Sequence, residues 1–343
     1  MEASHRESPR GVMNTIVCRL ISVAILAGLT TIAQISSAAT FNVTNLNDSG
    51  TGSLRQAVLD ANSNAGADTI QINVNGTITL TSGELVVSQS VTIIGPGARL
   101  LTVSGNNTTR ILHLDNVSAK DVTLSDMTFT SARASGNGGA ILNDGGNLLL
   151  QRMRITGNVA TGEGGAIYNA YFGSGNVLTI EDSEISGNQA NKEGAIYFIS
   201  YQLRVSNSTI SGNSATDSVG AIGLQYGDAV IRNSTIVNNS AAFVGGIQAQ
   251  DSTLVMESTI LAQNTDGSGT NDINRTGSGT TSAANSLFSE DVNATSVING
   301  TNSGNLIGIA PQIAALANNG GPTNSHMPLA GSPVIGSGSN SMG

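Results

Sequence analysis

Ile141, Ile167, Ile196, Ile222 and Ile247 each follow a short small-residue element (GGA, GGA, GA, GA and GG), at spacings of 26, 29, 26 and 25 residues. A second series, Phe129, Ile155, Ile185, Ile210, Ile236 and Ile260, runs at spacings of 26, 30, 25, 26 and 24. Two markers that drift together define a repeat, and a unit this small cannot bury its own apolar face, so it is stable only when stacked on its neighbours. Helical repeats need about 33 residues and sustained 3.6-residue periodicity. Here the apolar residues alternate in short bursts such as NVLTIEDSEI and YQLRVSNSTI, which are strands. Leucine-rich repeats share the length but need leucines at fixed places, and these are missing. A parallel β-helix, with about 25 residues and three short strands per coil, satisfies the pattern. Composition agrees: charged residues are 11% and aromatics 3%, with 42 glycines, which leaves few long helices.

Strand alternation predicts which residues face inward. Two positions before the second-series markers stand Met127, Met153, Ser183, Ser208, Ser234 and Ser258, expected inside. One and three positions before are expected outside, which puts Arg154 over Glu184 and stacks Asp126, Arg152 and Asp182 with alternating sign. Three positions after each marker comes an amide: Asn158, Asn188, Asn213, Asn239 and Gln263. This column is expected to be a structural ladder, each amide bonding backbone groups of its own turn and the amide of the next coil. The glycines are expected where a turn needs positive φ or where coils pack closely.

A stack exposes two ends, so caps are expected. In residues 52–62, Ser53 and Gln56 form a capping box, and Leu54, Ala57, Val58 and Ala61 share one helical face. The fold class expected is all-β: a parallel β-helix solenoid with a short N-terminal capping helix. Residues 1–39 read as a secretory signal, with an apolar run after Arg10 and Arg19 and small residues before Thr40. Residues 40–84 would be the N-terminal cap and first strands, 85–264 the repeats, and 265–343 loop-rich C-terminal coils and cap. A secreted or outer-surface location follows, with no integral membrane segment once the signal is removed. Cys18, the single cysteine, lies within the signal, which leaves no thiol chemistry.

The signal carries three arginines and two glutamates, so its removal takes the net charge from -9 to -10. An acidic chain without a basic cluster is a poor partner for nucleic acid.

Two GGAI tetrapeptides, Gly138 to Ile141 and Gly164 to Ile167, with Ile-x-x-Asn at 155–158, 185–188, 210–213 and 236–239, resemble the repeats of polymorphic outer-membrane proteins, with Ile in place of Phe. Residues 52–58, GSLRQAV, are similar to the CSLREA segment that follows the signal in many such proteins, and residues 304–338 are similar to the choice-of-anchor Q module. Together these segments resemble bacterial secreted right-handed parallel β-helix repeat proteins. The resemblance implies a right-handed coil and a secreted or surface role, with little specific chemistry.

Several residues invite a catalytic or metal role. Asp266, in NTDG, stands without the second carboxylate that inverting sugar hydrolysis needs. Glu181, Asp182 and Glu184 lie beside Arg152 and Arg154 and read as a neutralised ladder. His113 and His326 show no sequence pattern of metal ligands. No catalytic, cofactor-binding or metal residue is therefore assigned, no cofactor is expected, and calcium is left open. The expected role is non-catalytic, adhesive or structural, with glycans or cell-surface components as partners; the alternative is a polysaccharide lyase or glycoside hydrolase.

Overall fold

A computed structural model describes residues 37–115, 120–170, 175–290 and 292–339. The expected signal lies outside the described residues apart from 37–39. The chain is an all-β parallel solenoid of about 9 turns. Its strands stack in three long columns. The first begins at Leu85–Val87 and ends at Ile273–Thr276; the second runs from Thr40–Val43 to Asn302–Ser303. Two 11-residue strands, Ile196–Ser206 and Ile222–Arg232, run through the corner between these columns and join them into one 17-stranded sheet. The third column is a 10-stranded sheet from Gly76–Thr79 to Leu306–Ile307.

The first marker series stacks as expected. Ile141, Ile167, Ile196, Ile222, Ile247 and Ile273 are consecutive partners, and all are buried. The glycines before them are explained by close approach. A Cβ on Gly139, Gly165, Gly194 or Gly220 would lie 2.0, 2.3, 2.4 or 2.3 Å from a carbonyl oxygen of the next coil, closer than any side chain tolerates.

The second series holds through Ile236 and then shifts. Phe129, Ile155, Ile185, Ile210 and Ile236 stack, but the next partner is Leu261, not Ile260. Ile260 pairs with Thr235 on the outer face. Three apolar residues in a row, Ile260 to Ala262, hide the alternation, and a spacing of 25 rather than 24 was the correct one. The correction moves its neighbours too. Thr259 is buried in place of Ser258, which instead sits at a left-handed corner with φ 48°. Gln263 is exposed, and Asn264 takes the place expected for it in the ladder.

That ladder is fully buried. Asn158 Oδ1 accepts from Ala132 N, and then each Oδ1 of Asn188, Asn213, Asn239 and Asn264 accepts both the backbone N–H and the Nδ2 of the Asn one coil earlier, at 2.8–3.1 Å. The remaining Nδ2 hydrogen goes to a carbonyl of the preceding coil, Phe129, Ile155, Ile185, Ile210 or Ile236, so the backbone partner belongs mainly to a neighbour and not to the same turn. The run ends on a pure acceptor: Asp272 Oδ1 receives the Asn264 N–H at 3.0 Å and its Nδ2 at 2.9 Å.

Both ends of the stack carry helices. The first, α1 (Leu54–Ser63), buries Leu54, Ala57, Val58 and Ala61, and the Ser53 side chain accepts from Gln56 N. Only half of the capping box forms, since Gln56 Nε2 donates to Asp60. Past residue 264 the coils continue: strands Ile273–Thr276, Thr281–Ala284 and Leu287–Phe288 and the last two short strands extend the columns. A second helix, α2 (Val292–Val297), packs on Ile273–Thr276 and adds Ala294 and Val297 to the core. Its β-branched, Asn-containing sequence, VNATSV, gives it weak intrinsic helix propensity, so only packing makes it helical.

The last described segment doubles back over the outer face of the third column. Residues 312–329 form a narrow hairpin, with Ala317 and Ser325 exchanging backbone bonds. Ile313 of the hairpin and Val334 beyond it pack, together with Ile260 and Leu306, on Val237, Ala262 and Leu287, which explains why that face turns apolar at this end. Farther along, Asn324 N donates to Glu184 Oε2 and His326 Nε2 lies 2.8 Å from Ser211 Oγ. At the tip, Arg99 binds the carbonyls of Gly321 and Thr323. Between the strands that follow Arg99 and Gly304 lie eight strand steps, about 38 Å at ~4.8 Å each. Glu184, expected in solvent, is consequently 1% exposed.

The ladder register has a direct thermodynamic consequence. Asn213→Ala orphans the Asn188 N–H and the Ile185 carbonyl, and should lower the unfolding free energy by about 2–4 kcal/mol. Gln263→Ala should change it by less than about 0.5 kcal/mol. Chemical denaturation of the two variants measures both.

Candidate functional site

The residues singled out for chemistry in the sequence are mostly structural. Asp266 Oδ1 accepts from Ser268 N, Ser268 Oγ and Gly269 N, and Oδ2 from Asn271 Nδ2; these bonds, Asn271 foremost, lower its pKa and fix a hairpin turn. Asp272 terminates the amide ladder, and burial raises its pKa. Arg152 grips both Asp126 oxygens, at 2.7 and 2.6 Å, and Arg154 Nε bonds Glu184 at 2.8 Å, as the expected charge column requires. His113 is not isolated: Nε2 lies 2.9 Å from Asp144 Oδ2 and Nδ1 3.4 Å from Glu84 Oε1.

His326 and Ser211 form a buried Ser–His pair, with His326 Nδ1 donating to the Ala314 carbonyl at 2.7 Å. Donation from Nδ1 leaves Nε2 to accept from the Ser211 hydroxyl, the tautomer of a nucleophile–base pair. Ser211 and His326 are 4% and 8% exposed beneath the hairpin, so the pair fastens the strap to the sheet. Among the described residues no group of three or more His, Cys, Asp or Glu is placed to hold a metal ion.

A different cluster emerges on the outer face of the first column. Tyr168 and Tyr197 are register partners, half-buried, with ring centroids 5.1 Å apart and planes 19° apart. Tyr197 Oη donates to Gln225 Oε1 at 2.8 Å, and Gln225 Nε2 to Gln250 Oε1 at 2.9 Å. Tyr201 and Tyr226 stand at the corner with φ 73° and 54°, and are 47% and 57% exposed. The chain has five tyrosines, and all fall between 168 and 226. The sequence reading missed this cluster because it followed the inward residues; the confinement of every tyrosine to a few consecutive coils was the available signal.

Charged groups border the same face. Lys192 Nζ donates to Glu163 Oε1 at 2.8 Å, which raises the lysine pKa. Glu193 is 6% exposed, and its Oε2 has no hydrogen-bond partner. Burial, reinforced by the charge of Glu163, pushes its carboxyl up to about 8. Burial also raises the pKa of both Tyr168 and Tyr197. Gly223 lies between Tyr197 and Gln248 in the outward row, where a Cβ would meet Glu193 Cγ at 2.6 Å.

No protein-family model matches the chain, and no curated protein matches it significantly. The likeness to repeat families therefore rests on the quoted segments alone. No helix among the described residues is long and apolar enough to cross a membrane.

Glu193 makes stability depend on pH. Between the ordinary glutamate value of 4.5 and about 8, the folded state holds a proton that the unfolded chain has lost, so stability is greatest below that window and falls as pH rises through it. Glu193→Gln should flatten this slope and make the variant the more stable protein above pH ~8, by a margin on the order of 5 kcal/mol. Thermal or urea melts from pH 5 to 9 provide the comparison.

Proposed function

We propose that this chain is a secreted or cell-surface solenoid that contacts glycans through the tyrosine-bearing face of its first column, without catalysis. The observation that carries this reading is the stacked Tyr168 and Tyr197 beside Gln225, Gln248 and Gln250 on one rigid sheet face, with Tyr201 and Tyr226 at its corner, in a chain otherwise poor in aromatics. Sugars present apolar C–H surfaces edged by hydroxyls. Tyrosine offers an apolar ring and a polar tip with few rotors to immobilise, and the glutamine amides both donate and accept. A sheet locked by the buried ladder presents these groups already ordered, which lowers the cost of binding.

The second reading, a polysaccharide lyase or hydrolase, draws on Glu193: a carboxyl protonated up to about 8 beside Glu163 is the environment of a general acid. Two features weigh against it. The opening beside Glu193 is only about 30 Å³, and the nearby base, Lys192, is bound to Glu163.

Glycan-array binding of the full chain checks the proposal. The wild type should bind, and Tyr197→Ala and Tyr226→Ala should each weaken binding by about tenfold or more, Tyr226→Ala with little change in melting, whereas Thr156→Ala on the third column should have no effect. Absence of glycan binding by the wild type contradicts the reading; release of reducing or unsaturated sugar from a polysaccharide favours the enzyme.

A further inference from the structure

Arg133–Ala134 opens a short four-stranded sheet, continued by Val159–Ala160, Gln189–Ala190 and Ser214–Ala215, in the turn from the third column to the first. The coil before it has no strand at this place. It has instead a turn closed by Thr108 N and Thr109 N on the Gly105 carbonyl, and Arg133 N donates to the Thr109 carbonyl beside it. Where the sheet stops, a cavity of about 530 Å³ is left, lined by Glu84, Thr109, Arg110, Arg133, Ser135 and Thr161 among others. That is the size of a small-ligand site.

Its charges do not cancel. The Arg110 guanidinium is spent on the wall: Nε donates to the Gly138 carbonyl and Nη2 to the Asn137 carbonyl, both at 2.8 Å, and Nη1 holds Glu84 Oε2. Arg133 is exposed, and alone among the described arginines its side chain has no hydrogen-bond or ion-pair partner. Asp and Glu outnumber Lys and Arg 23 to 14, so the chain does not leave it bare for want of carboxylates. With Glu84 answered by Arg110, one positive charge is left over. The hydroxyls of Thr109, Ser135 and Thr161, which line the cavity with it, are likewise unpartnered among the described residues. An unengaged guanidinium among free hydroxyls matches a singly charged oxyanion, and its planar fork suits a carboxylate, which accepts two parallel N–H bonds.

The cavity adjoins the tyrosines. Asn137, whose carbonyl receives Arg110, turns its side chain to the Tyr168 hydroxyl. The outward row of the first column runs His113, Leu142, Tyr168 and Tyr197, so the stacked pair begins two strand steps, about 10 Å along the stack, from the coil of Arg110. We propose that the Arg133 cavity is a subsite for the carboxylate of an acidic sugar whose neighbouring units lie on Tyr168 and Tyr197, so that this face selects uronate-containing over neutral glycans. The proposal rests on the glycan-contact reading and adds the ligand class.

Calorimetric titration of the full chain at neutral pH with hexagalacturonate, hexamannuronate, the methyl ester of each and a sulfated carrageenan hexasaccharide tests this. At least one hexauronate should bind about tenfold more tightly than its ester, and added salt should narrow the difference. Arg133→Gln, at an exposed position, should lose about tenfold for the acid and nothing for the ester, with the melting temperature unchanged. Should that variant melt differently, Thr161→Val decides in its place, with a loss for the acid alone. Tyr197→Ala should weaken acid and ester alike. Equal affinity for acid and ester, or a preference for the acid that survives Arg133→Gln, means that Arg133 is a solvated side chain only, and overturns the subsite while leaving the glycan reading intact. Tighter, Arg133-dependent binding of the sulfated sugar overturns the carboxylate assignment, whereas failure of the wild type to bind any of these sugars contradicts the glycan reading itself.

Discussion

A buried asparagine side chain that satisfies groups on three successive coils is the interaction on which the rest of this solenoid depends. Asn213 accepts two N–H groups from Asn188, donates one hydrogen to Asn239 and the other to the Ile185 carbonyl, so all of its bonding capacity is used. A slip of one residue in any coil would leave several of these groups buried without partners, at about 1–3 kcal/mol each. The ladder therefore fixes the register that the isoleucine columns alone would hold only loosely, since one aliphatic residue replaces another at modest cost. The glycine column adds a steric version of the same rule, because its next-coil carbonyls admit no Cβ.

Repetition made most of the architecture legible. The period, the inward isoleucines, Asn158 to Asn239 and α1 all follow from spacing and alternation, because each coil repeats the same local problem. The errors arise where the repeat stops being informative. Ile260 and Leu261 are equally apolar, and only the strap lying over the outer face explains why one of them tolerates the outside. The helix α2 is made by packing against the last coil and not by propensity. Contacts between Arg99 and residues 321–324 span more than 220 positions in sequence, so no local pattern announces them.

The outer surface obeys different constraints from the core. Outward residues need not repeat, and where they cluster by type the cause lies outside the folding problem. Tyr201 and Tyr226, 47% and 57% exposed, bury little that the stack needs, whereas Tyr168 and Tyr197 also stack on each other. Glu193 is more telling, since a buried carboxyl whose Oε2 has no partner works against stability. Tyr168 and Tyr197 stand on the first column and Tyr201 and Tyr226 at its corner, whereas the third column is covered by the chain's own C-terminal hairpin.

Hydrogen exchange at single-residue resolution tests the central claim most directly. The backbone amides of Asn158, Asn188, Asn213, Asn239 and Asn264 bond to side-chain oxygens alone, yet they should exchange as slowly as the core strand amides of Ile185 and Ile210. Exchange of these five amides at the rate of an exposed turn would show that no buried ladder holds the coils in register.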